Sequence, residues 1–230
     1  MNAPSSGPAD AHDATPLAWL VQRAALSDDA KAASASAADG DALLAALLDG
    51  GHVVDAVRLV ASALPPREGV WWAWAAATHA ARLTSGDVAP PPVQQALAAT
   101  ERWIAAPDEA TRRAAWQCAQ DAGMDTPAGS AAGAAFFTGG SIAPPDITPI
   151  PPPAGIHATM AFAAVIGSSA ADTEHFESLA RAFVAQGVEV IRQVGGWEGS
   201  IGHARSHHDA MQQQHLAVAA PNGSGAPPST

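Results

Sequence analysis

The stretch Phe176-Glu-Ser-Leu-Ala-Arg-Ala-Phe-Val-Ala-Gln-Gly-Val-Glu-Val-Ile191 decides the fold class. Its large or apolar residues Phe176, Leu179, Ala180, Phe183, Val184, Val188 and Ile191 recur at the spacing of one helical face, with Glu177, Arg181 and Glu189 between them. No comparable alternating pattern of a strand is found, so the chain reads as all-α.

Working outward, the same grammar recurs. Thr15 caps a helix that carries Pro16 in its first turn and Leu17, Leu20, Val21 and Ala24 on one face. A soft linker of Ser, Ala and Asp follows. Leu43, Leu44, Leu47 and Leu48 form a second stripe that ends at Gly50-Gly51, and Val53, Val57, Val60, Ala61 and Leu64 form a third that ends at Pro65-Pro66. So short a connection makes these two an antiparallel pair. Further helices are read over 68–83 with Trp71, Trp72 and Trp74, and over 93–105 with Leu97, Trp103 and Ile104. One from Pro107 carries Trp116 and Cys118, and an Ala-rich one from Thr126-Pro127 reaches Phe136 and Phe137. Asp108 to Arg112 and Glu109 to Arg113 are i,i+4 pairs and read as a solvated face.

The segment Pro144–Pro153 cannot be helix, because its prolines lack donors and bias their neighbours to extended geometry. As polyproline II it would span about 30 Å, enough to cross a face of the domain. The expected organisation is a disordered tail over 1–14, a helical domain over 15–194 with a proline-rich crossing segment at 144–155, and a Gly/His/Gln-rich, largely disordered tail over 195–230. The domain is expected to be antiparallel helix pairs forming a bundle or a short solenoid-like array.

Composition narrows function. The 230 residues carry 22 acidic and 11 basic side chains, for a net charge of −11, with one lysine, no tyrosine and roughly a quarter alanine. Too few cations are present for a phosphate backbone, so nucleic acid is excluded as a partner. No uncharged stretch is long and apolar enough to insert in a bilayer. A single cysteine forms no internal disulfide, and Cys118 in an apolar helix reads as a buried thiol in a reducing compartment. The N-terminus has no basic residue before Arg23 and no apolar core of a secretory signal, so the expected location is cytoplasmic.

Few motifs carry chemistry. The GxSxG elbow, the phosphate loop, GxGxxG, CxxC and HExxH are absent, and no cofactor or catalytic residue is expected. His203 and His207 stand at i,i+4, with His208 beside them, a spacing that can place two metal ligands on one helical face. The tryptophans Trp71, Trp72 and Trp74 cannot all face one way on a helix, so at least one should reach a surface or helix interface, where an indole anchors a protein partner. Phe136 and Phe137 lie in a nearly neutral middle, where only Asp146 and Asp172 are charged between Asp125 and Glu174. These five aromatics are the candidate partner-binding residues.

The string Ala63-Leu-Pro-Pro-Arg-Glu-Gly-Val-Trp-Trp-Ala73, with Glu101-Arg-Trp103, Arg112-Arg113-Ala-Ala115, Thr126-Pro-Ala-Gly129, Phe136-Phe-Thr-Gly-Gly-Ser141, Ala143-Pro-Pro145 and Pro151-Pro-Pro153, resembles an uncharacterised proteobacterial domain family of unknown function. The resemblance implies an accessory role beside type VI secretion components and brings no catalytic residues. The expectation is therefore a non-enzymatic cytoplasmic protein-binding module, an adaptor or chaperone-like accessory that holds secretion cargo or an apparatus component. The alternatives are a metal-dependent hydrolase built on His203 and His207, and a purely structural helical scaffold.

Overall fold

A computed structural model describes residues 14–85 and 88–219. Among the described residues eleven helices follow one another: α1 (Pro16–Ala24), α2 (Asp28–Ala33), α3 (Gly40–Asp49), α4 (Val53–Ala63), α5 (Pro66–Ser85), α6 (Pro91–Ala105), α7 (Glu109–Ala122), α8 (Pro127–Phe136), α9 (Ile156–Ser169), α10 (Phe176–Gln193) and α11 (Gly196–Ala219). Among the described residues there is no β-strand. The starts are chemically marked. Thr15, Ser27, Asp39, Asp108 and Thr126 each accept, through a side-chain oxygen, a first-turn backbone N–H. Short α2 stands where the sequence suggests only linker; its cap Ser27 donates from both N and Oγ to the buried Asp55 carboxylate of α4, at 2.8 and 2.9 Å.

Two cores share two helices. The first gathers Leu20, Leu43, Leu47, Val57, Val60, Val184 and Ile191 from α1, α3, α4 and α10, with Ile201 of α11. The second is nearly all alanine, with Val70 and Trp103 as its large members, from α5, α6, α7, α8 and α9. Helix α5 serves both, turning Trp72 and Ala76 to the first and Val70, Ala73 and Ala77 to the second. Helix α9 does the same with Val165 on one side and Ala161 and Ala164 on the other. Because α5 packs on α8 and α9, and α6 on α8, non-consecutive helices close a bundle instead of stacking as a linear array. Small residues make this possible. Every residue of α8 from Ala128 to Phe136 is buried, and a Cβ on Gly129 would lie 2.0 Å from the Gly123 carbonyl oxygen. The neutral middle of the sequence therefore places its α8 part in the interior, which accounts for the lack of charge there, while its loop 144–150 is exposed.

Three expectations are corrected. The proline segment does not run extended across a face: Ile142 N–H donates to the Ile150 carbonyl at 2.8 Å, and Ser141 Oγ accepts from Ala143 and Ile150, closing 142–150 into a loop. At its end Pro151 and Pro152 are buried. Residues 196–219 are helix and not tail. Their polar composition hides a sparse inward face of Ile201, Ala204, His208 and Met211, reinforced by Ser200 Oγ donating to Ala63 O at 2.7 Å and Trp197 Nε1 to Asp41 at 3.0 Å. The expected disorder of 1–13 and 220–230 lies outside the described residues. Finally, Arg112 is not on a solvated face. It is 4% exposed and bound to Glu109, Phe136 O and Ser141 O, while Asp108 is the helix cap.

Candidate functional site

Helices α1, α4, α9 and α11 leave between them a cleft of about 380 Å³, lined by Trp19, Arg23, Arg58, Pro153, Gly155, His157, Phe162 and His208 among others. Arg23 comes from the last turn of α1, and its Nη1 donates to His208 Nε2 on α11. Since a guanidinium only donates, His208 carries its proton on Nδ1, which faces Asp209 Oδ1 at 3.3 Å. Arg58 lies over the Phe162 ring, 4.7 Å from its centroid, and donates to Ala25 O at 2.9 Å. Ala25 closes α1 in the left-handed conformation, at φ +47°.

His157 enters from the first turn of α9, after Gly155, which takes the N-cap with φ +84°. Its ring stands edge-on to His207, centroids 4.9 Å apart, and makes no hydrogen bond within the described residues. His207 Nε2 lies 2.6 Å from the Thr138 carbonyl, so it bears the proton, and buried Nδ1 is left without a partner. Burial, with His207 and His208 as further like charges, pushes His157 down from 6.5 to about 3. Burial also lowers His207, against the Thr138 bond.

Linkage gives this a sign. As pH falls through about 6.5 the unfolded chain protonates at position 157, while the folded ring stays neutral until about 3. The contribution is intact above 6.5 and is lost progressively down to about 3. From about pH 7 to pH 5 this one group should remove about 2 kcal/mol of stability. Urea titrations at the two pH values should show that loss in the parent chain and a smaller one in His157→Phe.

The metal-binding expectation does not gain support. His203 is exposed, His207 is turned to Thr138 and His208 to Arg23. Among the described residues no three His, Cys, Asp or Glu side chains stand together as a metal site. Cys118 is half-buried.

The five candidate aromatics divide. Trp72 is fully buried and Phe136 is 2% exposed, so neither offers a surface. Phe136 lies under Arg112 and stacks on Trp116, with centroids 4.5 Å apart; half-buried Phe137 sits edge-on to both rings. Trp74 is half-buried and donates to Leu97 O at 3.1 Å. Trp71 lines a surface groove, of about 340 Å³, with Ile104 and Val190 as apolar neighbours and Arg67, Glu68, Gln186, Glu189 and Gln193 at its edges. Arg67 Nε donates to Ile104 O at 2.8 Å and fixes the end of α6 against α5.

Sequence reasoning missed Arg23, Arg58 and His157. They lie far apart in the chain on three helices, and no local spacing joins them. In comparison with known proteins, a model of a family described as "Family of unknown function (DUF6931)" matches residues 43–191. No curated protein and no solved structure matches.

Proposed function

Because the chain belongs to the DUF6931 family, whose function is unknown, kinship supplies no activity, and we propose from its own surface that it is a non-enzymatic protein-binding module, an adaptor or chaperone-like accessory. The observation that carries the reading is Trp71. Its neighbour Trp72 is consumed by the core, whereas Trp71 stays half-buried on the wall of a groove between α5, α10 and the end of α6. An apolar floor of Trp71, Ile104 and Val190 with a rim of both charge signs is the form of an anchor site for one apolar side chain of a partner helix. The resemblance to a proteobacterial family found beside type VI secretion components directs the search for that partner to secreted cargo and apparatus proteins in the cytoplasm.

Co-purification of the full chain from native cells tests the reading. A stoichiometric partner should be recovered with the parent, and Trp71→Glu should release it. An anchor indole contributes about 2 kcal/mol or more, so its loss weakens binding about thirtyfold. Arg102→Gln, on an exposed part of α6, should leave recovery unchanged. Recovery of free chain alone at low salt, or equal recovery with Trp71→Glu, overturns the proposal.

A further inference from the structure

The cleft between α1, α4, α9 and α11 carries a different inference, independent of protein binding. Its charged lining has one sign. Arg23 and Arg58 face it, with His157 and His208, and among the described residues no Asp or Glu lines it, although carboxylates outnumber basic residues 22 to 11 in the chain. Each guanidinium has five N–H donors. One from Arg23 goes to His208 and one from Arg58 to Ala25 O, so both retain donors for a further acceptor.

Helix α9 begins at this cleft without any side-chain cap, Gly155 standing where a Ser, Thr or Asp would close the first turn. Its Ile156 and Ala158 N–H groups already donate to Pro153 O and Gly155 O, so the N–H groups of Gly155 and His157, with the positive end of the dipole, are what favour an anion. His157 supplies a second, independent sign. It is 7% exposed, lines the cleft and has no hydrogen-bond partner in the described residues. A ligand in the cleft would supply the hydrogen-bond partner that this largely buried ring has not found in the protein. Trp19 and Phe162 add an apolar wall, and about 380 Å³ is the volume of a small-molecule site.

We propose that this cleft binds a small organic oxyanion. Its phosphate or carboxylate head is held by Arg23, Arg58, the first turn of α9 and the His157 ring, and its apolar body rests on Trp19 and Phe162. The site is one of binding, with no bond made or broken.

Calorimetric titration of the full chain at low salt tests it, with phenyl phosphate, benzoate, inorganic phosphate and uncharged benzyl alcohol as probes. Phenyl phosphate, benzoate or both should bind at one site, the tighter of the two identifying the head group, and benzyl alcohol should not. Loss of a charge-assisted contact in Arg58→Met or in Arg23→Gln should weaken binding about tenfold in each case. Arg23 is exposed, so its variant reports even if Arg58→Met folds poorly. Trp71→Glu should bind the anion as the parent does, because the groove and the cleft share no lining residue. The proposal is overturned if neither aromatic anion binds the parent, if the Arg23→Gln, Arg58→Met double variant binds equally well, or if inorganic phosphate binds as tightly as both aromatic anions.

Discussion

Trp72→Ala should lower the stability of the folded chain by about 3–5 kcal/mol, the range for truncating a fully buried large aromatic. The indole occupies a slot prepared for it. Gly187 of α10 has no side chain, and a Cβ there would lie 2.4 Å from Val60 Cγ1 and 3.1 Å from Trp72 Nε1. The ring therefore lies directly against the α10 backbone, where Nε1–H donates to Phe183 O at 2.8 Å. Truncation opens a cavity where α4, α5 and α10 meet, at one of the two helices that the cores share. Trp72→Phe separates the contributions. It keeps part of the packing and gives up the hydrogen bond, whose acceptor also serves the α10 ladder, together with part of the buried ring volume, so its cost should be clearly smaller than that of Trp72→Ala. Thermal unfolding should show Trp72→Ala melting about 6–20 °C below the parent, at about 2–4 °C per kcal/mol for this chain length. A drop for Trp72→Ala no larger than that of Trp72→Phe would show that the indole is not filling the core.

The contrast between Trp71 and Trp72 shows where the sequence was legible. An amphipathic stripe marks a helix and its buried side, so α1, α4 and α10 follow directly from Leu20, Val57 and Phe183 and their neighbours. Two helix starts announce themselves through Thr15 and Thr126, because a cap is local chemistry, whereas Ser27 and Asp39 cap helices inside and at the end of what reads as linker. Adjacent tryptophans, by contrast, differ by 100° of helix rotation, and which one faces the core depends on what α10 brings to it. Helix α11 was obscured for another reason. Its inward residues Ile201, Ala204, His208 and Met211 are sparse and partly polar, and it is held by side-chain bonds to distant carbonyls such as Ala63 O. Hydropathy does not register such bonds. The cleft was invisible for the most general reason. Arg23, Arg58 and His157 are each unremarkable in their local sequence, and only tertiary packing brings three helices together with His208.

Arg112→Met is the second large effect, and it tests a side chain whose spacing suggests solvent and whose position is interior. The guanidinium grips Glu109 with two donors, Nε to Oε2 at 2.8 Å and Nη2 to Oε1 at 2.9 Å. Nη1 donates to Phe136 O at 2.7 Å and Nη2 to Ser141 O at 2.9 Å. Phe136 is the last residue of α8, so Arg112 caps a carbonyl that the helix itself leaves open and sets a positive charge at the negative end of its dipole. Gly140, at φ +65°, passes so close that a Cβ would lie 2.8 Å from Nη2. The hydrogen bond from Arg112 holds the Glu109 carboxyl below its ordinary range, with Arg113 adding to it. Methionine fills much of the volume and keeps contact with the Phe136 ring, but leaves the Phe136 and Ser141 carbonyls without this donor. Two such losses in a buried setting should cost about 2–4 kcal/mol. Arg112→Lys should recover little of it, because a single ammonium does not reproduce the fork that reaches Glu109 and two carbonyls at once. Glu109→Gln should be mild by comparison, since Glu109 is half-exposed and its partners retain their carbonyls. Urea midpoints for the three variants check the ordering, and backbone hydrogen exchange should show protection lost first at Ile142 and Ile150, where the loop held by Ser141 closes. Equal midpoints for Arg112→Met and Glu109→Gln would place the role of Arg112 in the exposed ion pair instead of in the cap of α8.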